Sequence, residues 1–369
     1  MSIKVAHLSS HHPQLSVRIF KKQCISLYNA GFDVTYVVPG TGDKIFDGVK
    51  FSFIRPGKNL FQRLVIKPYK IYKAAVKLNA DIYHFHDPEL IPYGYLLLKA
   101  GHKVIYDIHE DLENKIKDRR IKGLGYLLPF FAAYVGKIEK YFCKRFTYNI
   151  TVNQDIKTKL NIKNVEIVTN YPIVELFKRK EADNVRSIND EFTVVYAGLL
   201  NRIRGIKEIV DAMSFLRGTA RLLLLGKWQD KLYQDECMHS EGWKYTEFKG
   251  FLPLEEAYDV IQNSDVGVVN FYPLKNHLFS MPNKAFEYMA AGKPMVMSNF
   301  DYWKDLFADC ALFSNPENSE EIAANIEKLA SDRQLFNELS KNAKFNIENK
   351  YSWESESRKL IEAYRRISC

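Results

Sequence analysis

Short apolar runs alternate with segments of helical periodicity along the chain, and the same layout occurs in each half. In the first half the predicted strands are residues 3–8, 33–38, 82–86, 103–107, 149–152 and 166–168, and in the second half they are residues 192–197, 221–225, 266–269 and 294–297. Apolar strands that alternate with helices are typical of βαβ units, whose parallel sheets are covered by helices on both faces. The pattern therefore predicts an α/β fold with two Rossmann-like domains.

Length and local composition predict where these domains begin and end. A chain of 369 residues is long for one core and sufficient for two. The polar stretch 179–191 predicts a linker between a domain over residues 1–180 and a domain over residues 190–350. Residues 351–369 predict a terminal helix, capped by Ser352, that could pack back on the first domain.

Cysteine usage and apolar run lengths predict a cytosolic protein. The five cysteines are scattered and never spaced C-x-x-C, which argues against a disulfide framework and a structural zinc site. The first ten residues lead directly into a strand pattern without the features of a signal peptide. The longest apolar run, 126–135, is about half as long as a spanning helix and contains Pro129, so no membrane crossing is predicted.

Charge is divided unequally between the halves. Residues 1–180 contain 30 Lys and Arg against 15 Asp and Glu, a net charge of +15, whereas the rest of the chain has a net charge of −6. A basic half predicts that one domain faces a polyanion, either lipid headgroups or nucleic acid. Because no recognition motif and no basic–aromatic repeat is present, we favour the lipid surface and expect no nucleic-acid partner.

Two segments of the second half contain residues suited to binding phosphate. After the strand at 192–197, Gly198 permits a tight turn, Arg202 and Arg204 supply guanidinium groups, and Gly205 precedes a predicted helix. Glycine, arginine and a helix N-terminus together form a site for phosphate oxygens. The alternative is a solvated basic loop.

In the second of these segments, Pro282 and Asn283 begin a predicted helix that carries Lys284 in its first turn and Glu287 one turn later. A lysine at a helix N-terminus is unfavourable with respect to the macrodipole, which suggests that it is placed there for an anion. Glu287 could accept hydrogen bonds from two ribose hydroxyls. The alternatives are a surface lysine and an exposed helical glutamate.

In the first half, polar residues gather at or just after predicted strand ends, namely His84, His86, Asp87, His109, Glu110 and Asp111. A metal cluster is one explanation, but no carboxylate pattern of a two-metal site accompanies the histidines, and the chain contains no D-x-D. Cationic side chains would then have to do the work of a metal. The chain also lacks a G-x-S-x-G elbow, a P-loop and a G-x-G-x-x-G after the first strand, which argues against ATP hydrolysis and hydride transfer.

In order along the chain, five segments resemble the retaining glycosyltransferases of family 4, which have the GT-B fold, and especially the bacterial members that build capsular polysaccharide, exopolysaccharide and lipopolysaccharide. These segments are HLSSHHPQLSVRIFKKQCISLYNAGFDVTYVV, DIYHFHDPEL, DIHED, AGLLNRIRG and MPNKAFEYMAAGKPMV. The resemblance implies two Rossmann-like domains whose parallel sheets face each other across a cleft, the first binding the acceptor and the second the nucleotide sugar. It also implies a metal-independent transferase that has a nucleotide diphosphate sugar as its substrate and needs no cofactor.

The resemblance further implies which residues form the site. Glu287 would bind the donor ribose, Arg204 would replace the lysine that usually grips the diphosphate, and His109 would approach the donor sugar, and these three are the expected catalytic residues. The expected donor-binding set is Gly198, Arg202, Arg204, Met281, Pro282, Asn283, Lys284 and Glu287, and the expected acceptor-side set is His12, Arg18, His86 and Asp87. No metal ligand is expected.

Three positions depart from the family pattern. Phe279 stands where members commonly have the first glutamate of an E-x7-E pair, which leaves the donor sugar open. Leu199 stands where many members have an arginine, for which Arg202 is a candidate substitute. Residues 11–13, His-His-Pro, replace a glycine-rich loop, so the acceptor contacts of that loop are not carried over.

Basic residues surround the apolar run 126–135 in an arrangement that resembles an interfacial membrane anchor. They are Lys115, Lys117, Arg119, Arg120 and Lys122 before it and Lys137, Lys140, Lys144 and Arg145 after it, and Arg63, Lys67 and Lys70 add a further basic helix face. The alternative is a core helix with solvated ends.

We expect a cytoplasmic protein, peripheral on the inner face of the cytoplasmic membrane. It would transfer a sugar, UDP-linked by analogy, to a lipid-linked saccharide in polysaccharide biosynthesis. A sugar-nucleotide epimerase of the same fold and a non-catalytic carbohydrate-assembly subunit are the alternatives, and the sequence leaves the oligomeric state open.

Overall fold

The computed structural model describes residues 2–42, 44–55, 62–117, 128–178, 191–278 and 280–368. Most of the predicted linker, Phe279, and the basic residues Arg119, Arg120 and Lys122 lie outside these ranges, as does the side chain of Arg63. The chain forms two compact units, of which the first contains Met1–Asn170 and Trp353–Cys369 and the second contains Tyr171–Ser352. Among the described helices, none combines the length and the apolar content needed to span a bilayer.

The first unit is an eight-stranded sheet covered by helices. Its strands are β1 (Lys4–Leu8), β2 (Asp33–Pro39), β3 (Ile45–Phe46), β4 (Val49–Ile54), β5 (Ile82–Phe85), β6 (Lys103–Ile108), β7 (Tyr148–Thr151) and β8 (Val165–Ile167). Its helices are α1 (Ile25–Asn29), α2 (Lys67–Leu78), α3 (Ile91–Lys99), α4 (Leu112–Lys117), α5 (Leu128–Cys143), α6 (Gln154–Leu160) and the last helix of the chain, α16 (Trp353–Ser368), with shorter π and 3-10 segments at Val17–Cys24, Gln62–Ile66 and Pro88–Leu90. The strand order is β3-β4-β2-β1-β5-β6-β7-β8, parallel throughout except for the β3–β4 hairpin.

The second unit is a six-stranded parallel sheet. Its strands are β9 (Phe192–Ala197), β10 (Ala220–Leu225), β11 (Thr246–Gly250), β12 (Val266–Val269), β13 (Met295–Ser298) and β14 (Ala311–Ser314). Its helices are α7 (Glu175–Lys178), α8 (Ile206–Phe215), α9 (Lys231–Met238), α10 (Leu254–Gln262), α11 (Lys275–Leu278), α12 (Asn283–Ala290), α13 (Asp301–Phe307), α14 (Ser319–Ser331) and α15 (Arg333–Lys350), with 3-10 turns at Arg202–Arg204 and Glu241–Tyr245.

The order of these six strands, β11-β10-β9-β12-β13-β14, is that of a doubly wound Rossmann sheet, which binds ligands where the order reverses. That point lies beyond the carboxyl ends of β9 and β12. The corresponding reversal in the first unit lies between β1 and β5. The expected α/β fold with two Rossmann-like parallel sheets is therefore present.

The first unit ends before the predicted boundary at residue 180. Residues 171–178 pack with the second unit because their aromatic side chains enter its core. Phe177 lies 4.3 Å from the ring of Tyr258, and Tyr171 lies 5.0 Å from the ring of Phe286. At the other end of the chain, α16 packs with the first unit and buries Tyr364 completely.

All ten predicted strands are present within a residue or two of their expected ends, but four strands were not predicted: β3, β4, β11 and β14. These four lie at or next to the sheet edges, where one side of a strand meets solvent. In β11, for example, no residue is buried. Because an edge strand contains polar residues at many of its positions, its sequence resembles that of a loop.

Candidate functional site

Two glycines leave the backbone uncovered by side chains near the switch point of the second unit, which is the place where its strand order reverses. Gly198 follows β9 with a φ of +148°, and a Cβ at this position would stand 3.0 Å from the Nζ atom of Lys284. Gly226 follows β10 with a φ of +141°, and a Cβ there would overlap the carbonyl oxygen of Gly198. Glycine is needed at both positions because the backbones approach closely and the φ angles disfavour other residues.

Lys284 points to this uncovered backbone from the first turn of α12. Pro282 is the N-cap residue of α12, and Lys284 is buried, with 6% of its surface exposed. Its Nζ atom lies 3.5 Å from the ring centroid of Tyr196 and has no hydrogen-bond acceptor among the described residues. Burial and the nearby Arg204 hold the pKa of Lys284 well below its usual range, although Glu287 acts in the opposite direction. A buried amine without an acceptor is costly, so this position favours an anion.

Arg204 brings a second cation to the same place. It ends the 3-10 turn that precedes α8, and its guanidinium carbon lies 4.6 Å from the ring centroid of Phe271. Its Nε atom is buried and has no acceptor among the described residues. The turn is held because Asn270, which follows β12, donates from Nδ2 to the carbonyl oxygen of Gly205 at 3.3 Å. Gly205 adopts a left-handed φ of +52°, which lets α8 begin directly after the arginine.

Glu287 lies one helical turn after Lys284 and is half-buried. Its Oε1 atom lies 3.5 Å from the hydroxyl of the buried Tyr258. The other residues of the motif have packing roles or face solvent: Met281 packs against the core, and Asn283 is exposed. The arrangement presents two cations and a carboxylate together, since both Arg204 and Glu287 influence the pKa of Lys284.

Arg202 is not directed to this cluster of charges. Its exposed guanidinium forms an ion pair with Glu236 and lies 4.6 Å from the ring centroid of Tyr233. The ion pair raises the pKa of Arg202. A guanidinium that already has a carboxylate partner is a poor substitute for the arginine expected after Gly198, so the structure does not support that assignment.

In the first unit the organising group is the buried carboxylate of Asp107, at the end of β6. It receives two hydrogen bonds from Arg18, of 2.7 and 3.1 Å, and further contacts from Gln23 at 2.8 Å, His109 at 2.9 Å and His86 at 3.1 Å. Burial would raise the pKa of Asp107, but Arg18, His109 and the hydrogen bonds hold it well below its usual range. The carboxylate is therefore ionised and saturated with donors.

Arg18 was expected to contact the acceptor, and this expectation needs correction. It is buried, and its remaining donor, Nη1, bonds to the carbonyl oxygen of Val168 at 3.1 Å. All of its polar groups thus have partners inside the first unit. The reason is electrostatic, because a buried Asp107 needs a buried cation and Arg18 supplies it. His86 is likewise buried, although its residue borders the cavity described next.

A cavity of about 560 Å³ opens beside this network, and His12, Asp87 and His109 contribute to its lining. Asp87 holds the preceding loop, because its Oδ2 atom accepts from the Ser9 hydroxyl at 2.8 Å and from the Ser10 amide at 2.6 Å. His12 lies 3.7 Å from Oδ1 of Asp87, and its ring lies 5.1 Å from that of His109. Burial lowers the pKa of His12, while Asp87 opposes the shift. Three of the four expected acceptor-side residues thus lie at one cavity, but His86 and Asp87 are largely covered.

Within the described part of the chain, two groups of three side chains have ligand atoms close enough together to hold a metal ion. They are His7, His84 and His86, and His86, Asp107 and His109. In the first group His7 and His86 bond to each other and His84 bonds to Tyr364 through Nδ1, and in the second group His86 and His109 bond to Asp107. The carboxylates that follow β6 do not join them, since Glu110 pairs with Lys115 and Asp111 pairs with Lys159 at the surface.

Family models match both units. Residues 191–332 match a model described as glycosyl transferases group 1, and residues 20–169 match a model described as glycosyltransferase family 4. The chain belongs to the GT-B glycosyltransferases. In this glycosyltransferase, the first matched segment contains the whole of β9 to β14, and the second contains β2 to β8.

Individual relatives agree with this assignment. The glycosyltransferase is 25% identical over 182 residues to an uncharacterized glycosyltransferase of Methanocaldococcus jannaschii, across 48% of this chain and 45% of the relative. It is 22% identical over 251 residues to the capsular polysaccharide biosynthesis glycosyltransferase CapM of Staphylococcus aureus, across 63% of each chain. The matched region thus spans less than half of the first relative and less than two thirds of the second.

Solved structures show the same fold over nearly the whole length. Sucrose-phosphate synthase from Thermosynechococcus elongatus superposes with a TM-score of 0.75 at 17% identity, covering 99% of both chains. Anabaena HepE in complex with UDP-glucose superposes with a TM-score of 0.72 at 14% identity, covering 99% of this chain and 100% of that one. At these identities the likeness concerns the fold.

Several residues that shape the two sites of this glycosyltransferase were not predicted. Asp107 is a single carboxylate in an otherwise apolar strand, a signal that a sequence can show. Gly226 follows a run of four leucines, and a glycine at a predicted strand end is also visible. Tyr196 and Tyr364 gave no such signal, because a tyrosine in a strand or an amphipathic helix fits ordinary packing.

Proposed function

We propose that the protein is a metal-independent, retaining glycosyltransferase that moves a sugar from UDP to a lipid-linked saccharide. The observation that carries the proposal is a pair of basic side chains, the buried Lys284 and the half-buried Arg204, at the switch point of the second unit. Neither Nζ of Lys284 nor Nε of Arg204 has an acceptor among the described residues. A diphosphate would supply the missing negative charge and hydrogen-bond acceptors together.

The choice of nucleotide rests on Glu287 and on similar proteins. A carboxylate one turn behind Lys284 suits the two hydroxyls of a ribose. Structures of the similarly folded HepE contain UDP and UDP-glucose, which is why we propose a UDP-sugar as donor. The relative CapM acts in capsular polysaccharide biosynthesis by its name, and on this likeness we propose a polysaccharide role.

In the proposed reaction, negative charge develops on the leaving phosphate next to the two cations. The bond between the anomeric carbon and the phosphate oxygen breaks, and its electron pair stays on the phosphate. Arg204 and Lys284 stabilise this growing charge, which is the largest contribution in many enzymes of this kind. The acceptor hydroxyl then bonds to the anomeric carbon on the face that the phosphate leaves, and its proton passes to the phosphate oxygen. Configuration is retained and no protein base is needed.

The acceptor would occupy the cavity of the first unit. Its lining includes polar residues such as His109, His12 and Glu89 and exposed apolar residues such as Leu64 and Phe131. Such a cavity suits an acceptor that is a saccharide at one end and a lipid at the other. In this proposal His109 orients the attacking hydroxyl through Nδ1, because its Nε2 atom already donates to Asp107.

We further propose that the first unit binds an anionic membrane surface. On α5, Phe130, Phe131 and Tyr134 are exposed by 77%, 55% and 63%, which favours an interfacial helix over a core helix. A groove of about 440 Å³ beside α2 is lined by four cations without an ion-pair partner among the described residues, namely Arg55, Lys70, Lys73 and Lys77. Lys67, in contrast, is buried and does not belong to this basic surface.

One set of measurements tests the proposal. Thermal stabilisation is followed with uridine, UMP and UDP, and we expect UDP to stabilise the most because only it supplies a diphosphate. Transfer from UDP-sugars to a lipid-linked acceptor is then measured in the presence of EDTA, with the anomeric product identified by NMR. Conversion of the nucleotide sugar without an acceptor would indicate an epimerase, and loss of activity in EDTA that manganese restores would contradict metal independence.

Liposome flotation tests the membrane proposal separately. We expect retention by vesicles containing phosphatidylglycerol at low salt and release as the salt concentration rises. Binding to neutral vesicles alone, or to none, would contradict it. Lys70→Glu with Lys73→Glu should weaken retention, and Lys304→Glu, on α13 of the second unit, serves as the control with the same kind of charge change.

A further inference from the structure

A chain of buried hydrogen bonds runs from Asp107 to the last helix of the protein. Nδ1 of His86 lies 3.1 Å from Oδ2 of Asp107, and Nε2 of His86 lies 3.0 Å from Nδ1 of His7. Nε2 of His7 lies 3.3 Å from the hydroxyl of Tyr364, which lies 2.6 Å from Nδ1 of His84. His7, His84 and Tyr364 are 0% exposed and His86 is 2% exposed. Five residues from four elements thus form one continuous path.

The direction of every bond in the chain follows from its end at Asp107. An ionised carboxylate only accepts, so Nδ1 of His86 carries the proton. Burial lowers the pKa of His7, His84 and His86 well below the usual range, so each ring is neutral and carries one proton. Nε2 of His86 must then accept from Nδ1 of His7, and Nε2 of His7 must accept from the hydroxyl of Tyr364.

The remaining bond is then determined as well. The hydroxyl of Tyr364 has one hydrogen, which it gives to His7, so its oxygen accepts from Nδ1 of His84. The opposite choice would leave His7 without a donor and form one bond fewer. The cost of the preferred arrangement is that Nε2 of His84, which has no partner among the described residues, is a bare acceptor. All dipoles of the chain point their positive ends toward Asp107, which strengthens each bond.

We propose that Tyr364, on the C-terminal helix, is a positioning residue for His109, and that it acts through His7, His86 and Asp107. The role of His109 rests on the proposed function, whereas the directions of the hydrogen bonds from Tyr364 to Asp107 do not. Asp107 accepts from both His86 and His109 at the same oxygen, Oδ2. Because both rings donate to Oδ2, the position of the His86 donor influences the hydrogen bond that His109 forms with the same oxygen. His109 is held with its proton on Nε2 and Nδ1 available to a hydroxyl.

A metal ion among these histidines is the competing explanation. His7, His84 and His86 are close enough to ligate one, but a ligand nitrogen must direct its lone pair at the ion. In the observed geometry His7 and His86 face each other as donor and acceptor. Arg18 already neutralises Asp107, so the group contains no excess negative charge that would attract a cation.

The test is the tautomer of each ring, read from long-range ¹H–¹⁵N correlation spectra of protein labelled at histidine. The nine histidines are assigned with single His→Gln variants. We expect the Nδ1–H form for His7, His84 and His86, which is the minor form of free histidine, and the Nε2–H form for His109. Finding His7 or His86 in the other form, or protonated at pH 7.5, overturns the proposal. So does a stoichiometric metal in the purified protein whose removal changes these resonances.

Tyr364→Phe removes the hydroxyl and keeps the ring. We expect Nε2 of His7, which loses its hydrogen-bond donor, to show the largest change in ¹⁵N shift, and the resonances of His86 and His109 to shift as well. Tyr83→Phe is the matched control, because Tyr83 is an equally buried tyrosine of the same unit whose hydroxyl bonds to the backbone of Ala75 and Ala80, outside the chain. Tyr83→Phe should leave the four histidines unchanged. If Tyr364→Phe also leaves them unchanged, Tyr364 does not order the chain and the proposal fails.

The kinetic readout separates positioning from folding. We expect Tyr364→Phe to lower kcat by about 10- to 100-fold, the loss that small displacements of a catalytic group produce, with an unchanged KM for the nucleotide sugar. Tyr83→Phe should change kcat less than twofold. A normal kcat with shifted resonances of His7 and His109 would overturn the positioning role. An inactive wild-type protein with the expected tautomers would instead contradict the proposed function, and the hydrogen-bond order from Tyr364 to Asp107 would remain supported.

Discussion

Lys284→Met is the change that most directly tests the donor site. Methionine keeps the length and flexibility of the side chain and removes the ammonium group. Because Nζ is buried and has no hydrogen-bond acceptor among the described residues, the substitution should stabilise the ligand-free protein. At the same time it should weaken binding of UDP. Replacement of a lysine with a purely structural role would not combine greater stability with weaker binding of UDP.

The magnitudes follow from the environment of Lys284. A buried polar group without a partner costs about 1–3 kcal/mol, which is the expected gain in the free energy of unfolding. The pKa is lowered in the folded state, so the unfolded chain binds the additional proton between that value and about 10.4. The gain should therefore be largest below the folded-state pKa and should shrink by about 1.4 kcal/mol per unit as the pH rises from that pKa toward about 10.4. A lost hydrogen bond between charged groups, about 1.5–3 kcal/mol, corresponds to about 10- to 150-fold in the Kd of UDP.

Proton uptake provides an independent assay. A diphosphate beside Lys284 favours its charged form, so UDP binding at pH 8.5 should take up as much as one proton. Isothermal titration calorimetry in buffers of different ionisation enthalpy measures this number, because the observed enthalpy changes in proportion to it. At this pH the phosphates of UDP are already fully ionised and do not contribute. Lys284→Met should abolish the uptake.

The control is Lys304→Met, which removes an exposed lysine of α13 that pairs with Asp301. It should change neither the Kd of UDP nor the number of protons. The reasoning is refuted if wild-type protein binds UDP without proton uptake at every pH between 8.5 and 10. It is equally refuted if Lys284→Met binds UDP within twofold of the wild-type Kd, since the ammonium would then make no contact with the diphosphate.

Three further predictions concern other ionisable side chains. Arg204→Ala and Glu287→Ala should each lower turnover about a hundredfold or more in a folded protein, and wild-type transfer by either variant would remove that residue from the site. Burial raises the pKa of Glu139 to about 7, so its stabilising proton is lost as the pH rises through 7; Glu139→Gln should be more stabilising at pH 8 than at pH 5, by about 3 kcal/mol at most, in paired thermal scans. The lowered pKa values of the chain histidines mean that the unfolded state binds more protons below about pH 6.5, so the wild-type unfolding free energy should fall on acidification by about 1.4 kcal/mol per pH unit for each ring; His84→Gln should reduce this slope in denaturant titrations.

The parallel sheets and the candidate donor residues were accessible from the sequence for the same reason. Central parallel strands are buried on both faces, so they appear as continuous apolar runs, and the residue that follows each run lies at the ligand-binding edge. Gly198, Lys284 and Glu287 could be found in this way. The edge strand β11 could not, because its half-exposed and exposed positions contain mostly polar residues.

Side-chain partners were not accessible. The sequence shows that Arg18 is a basic residue in a segment that resembles a family motif, but not that Asp107, 89 residues later, lies buried beside it. Arg202 was a reasonable substitute for a missing arginine, yet Glu236 on α9 pairs with it. In both cases the partner comes from a distant part of the chain, and only packing decides which charge meets which.

The two sites also differ in how their charges are arranged, and this difference has a physical meaning. In the second unit, Lys284 and Arg204 have polar atoms without acceptors among the described residues, so the site is incomplete until an anion arrives. In the first unit, Asp107 already accepts from Arg18, Gln23, His86 and His109, so its charge is compensated in advance. An incomplete site gains binding energy when the ligand supplies the missing partner, whereas a saturated one cannot bind a charge and instead fixes the orientation of a neighbour. The donor is therefore expected to be held by charge and the acceptor by the geometry of neutral groups.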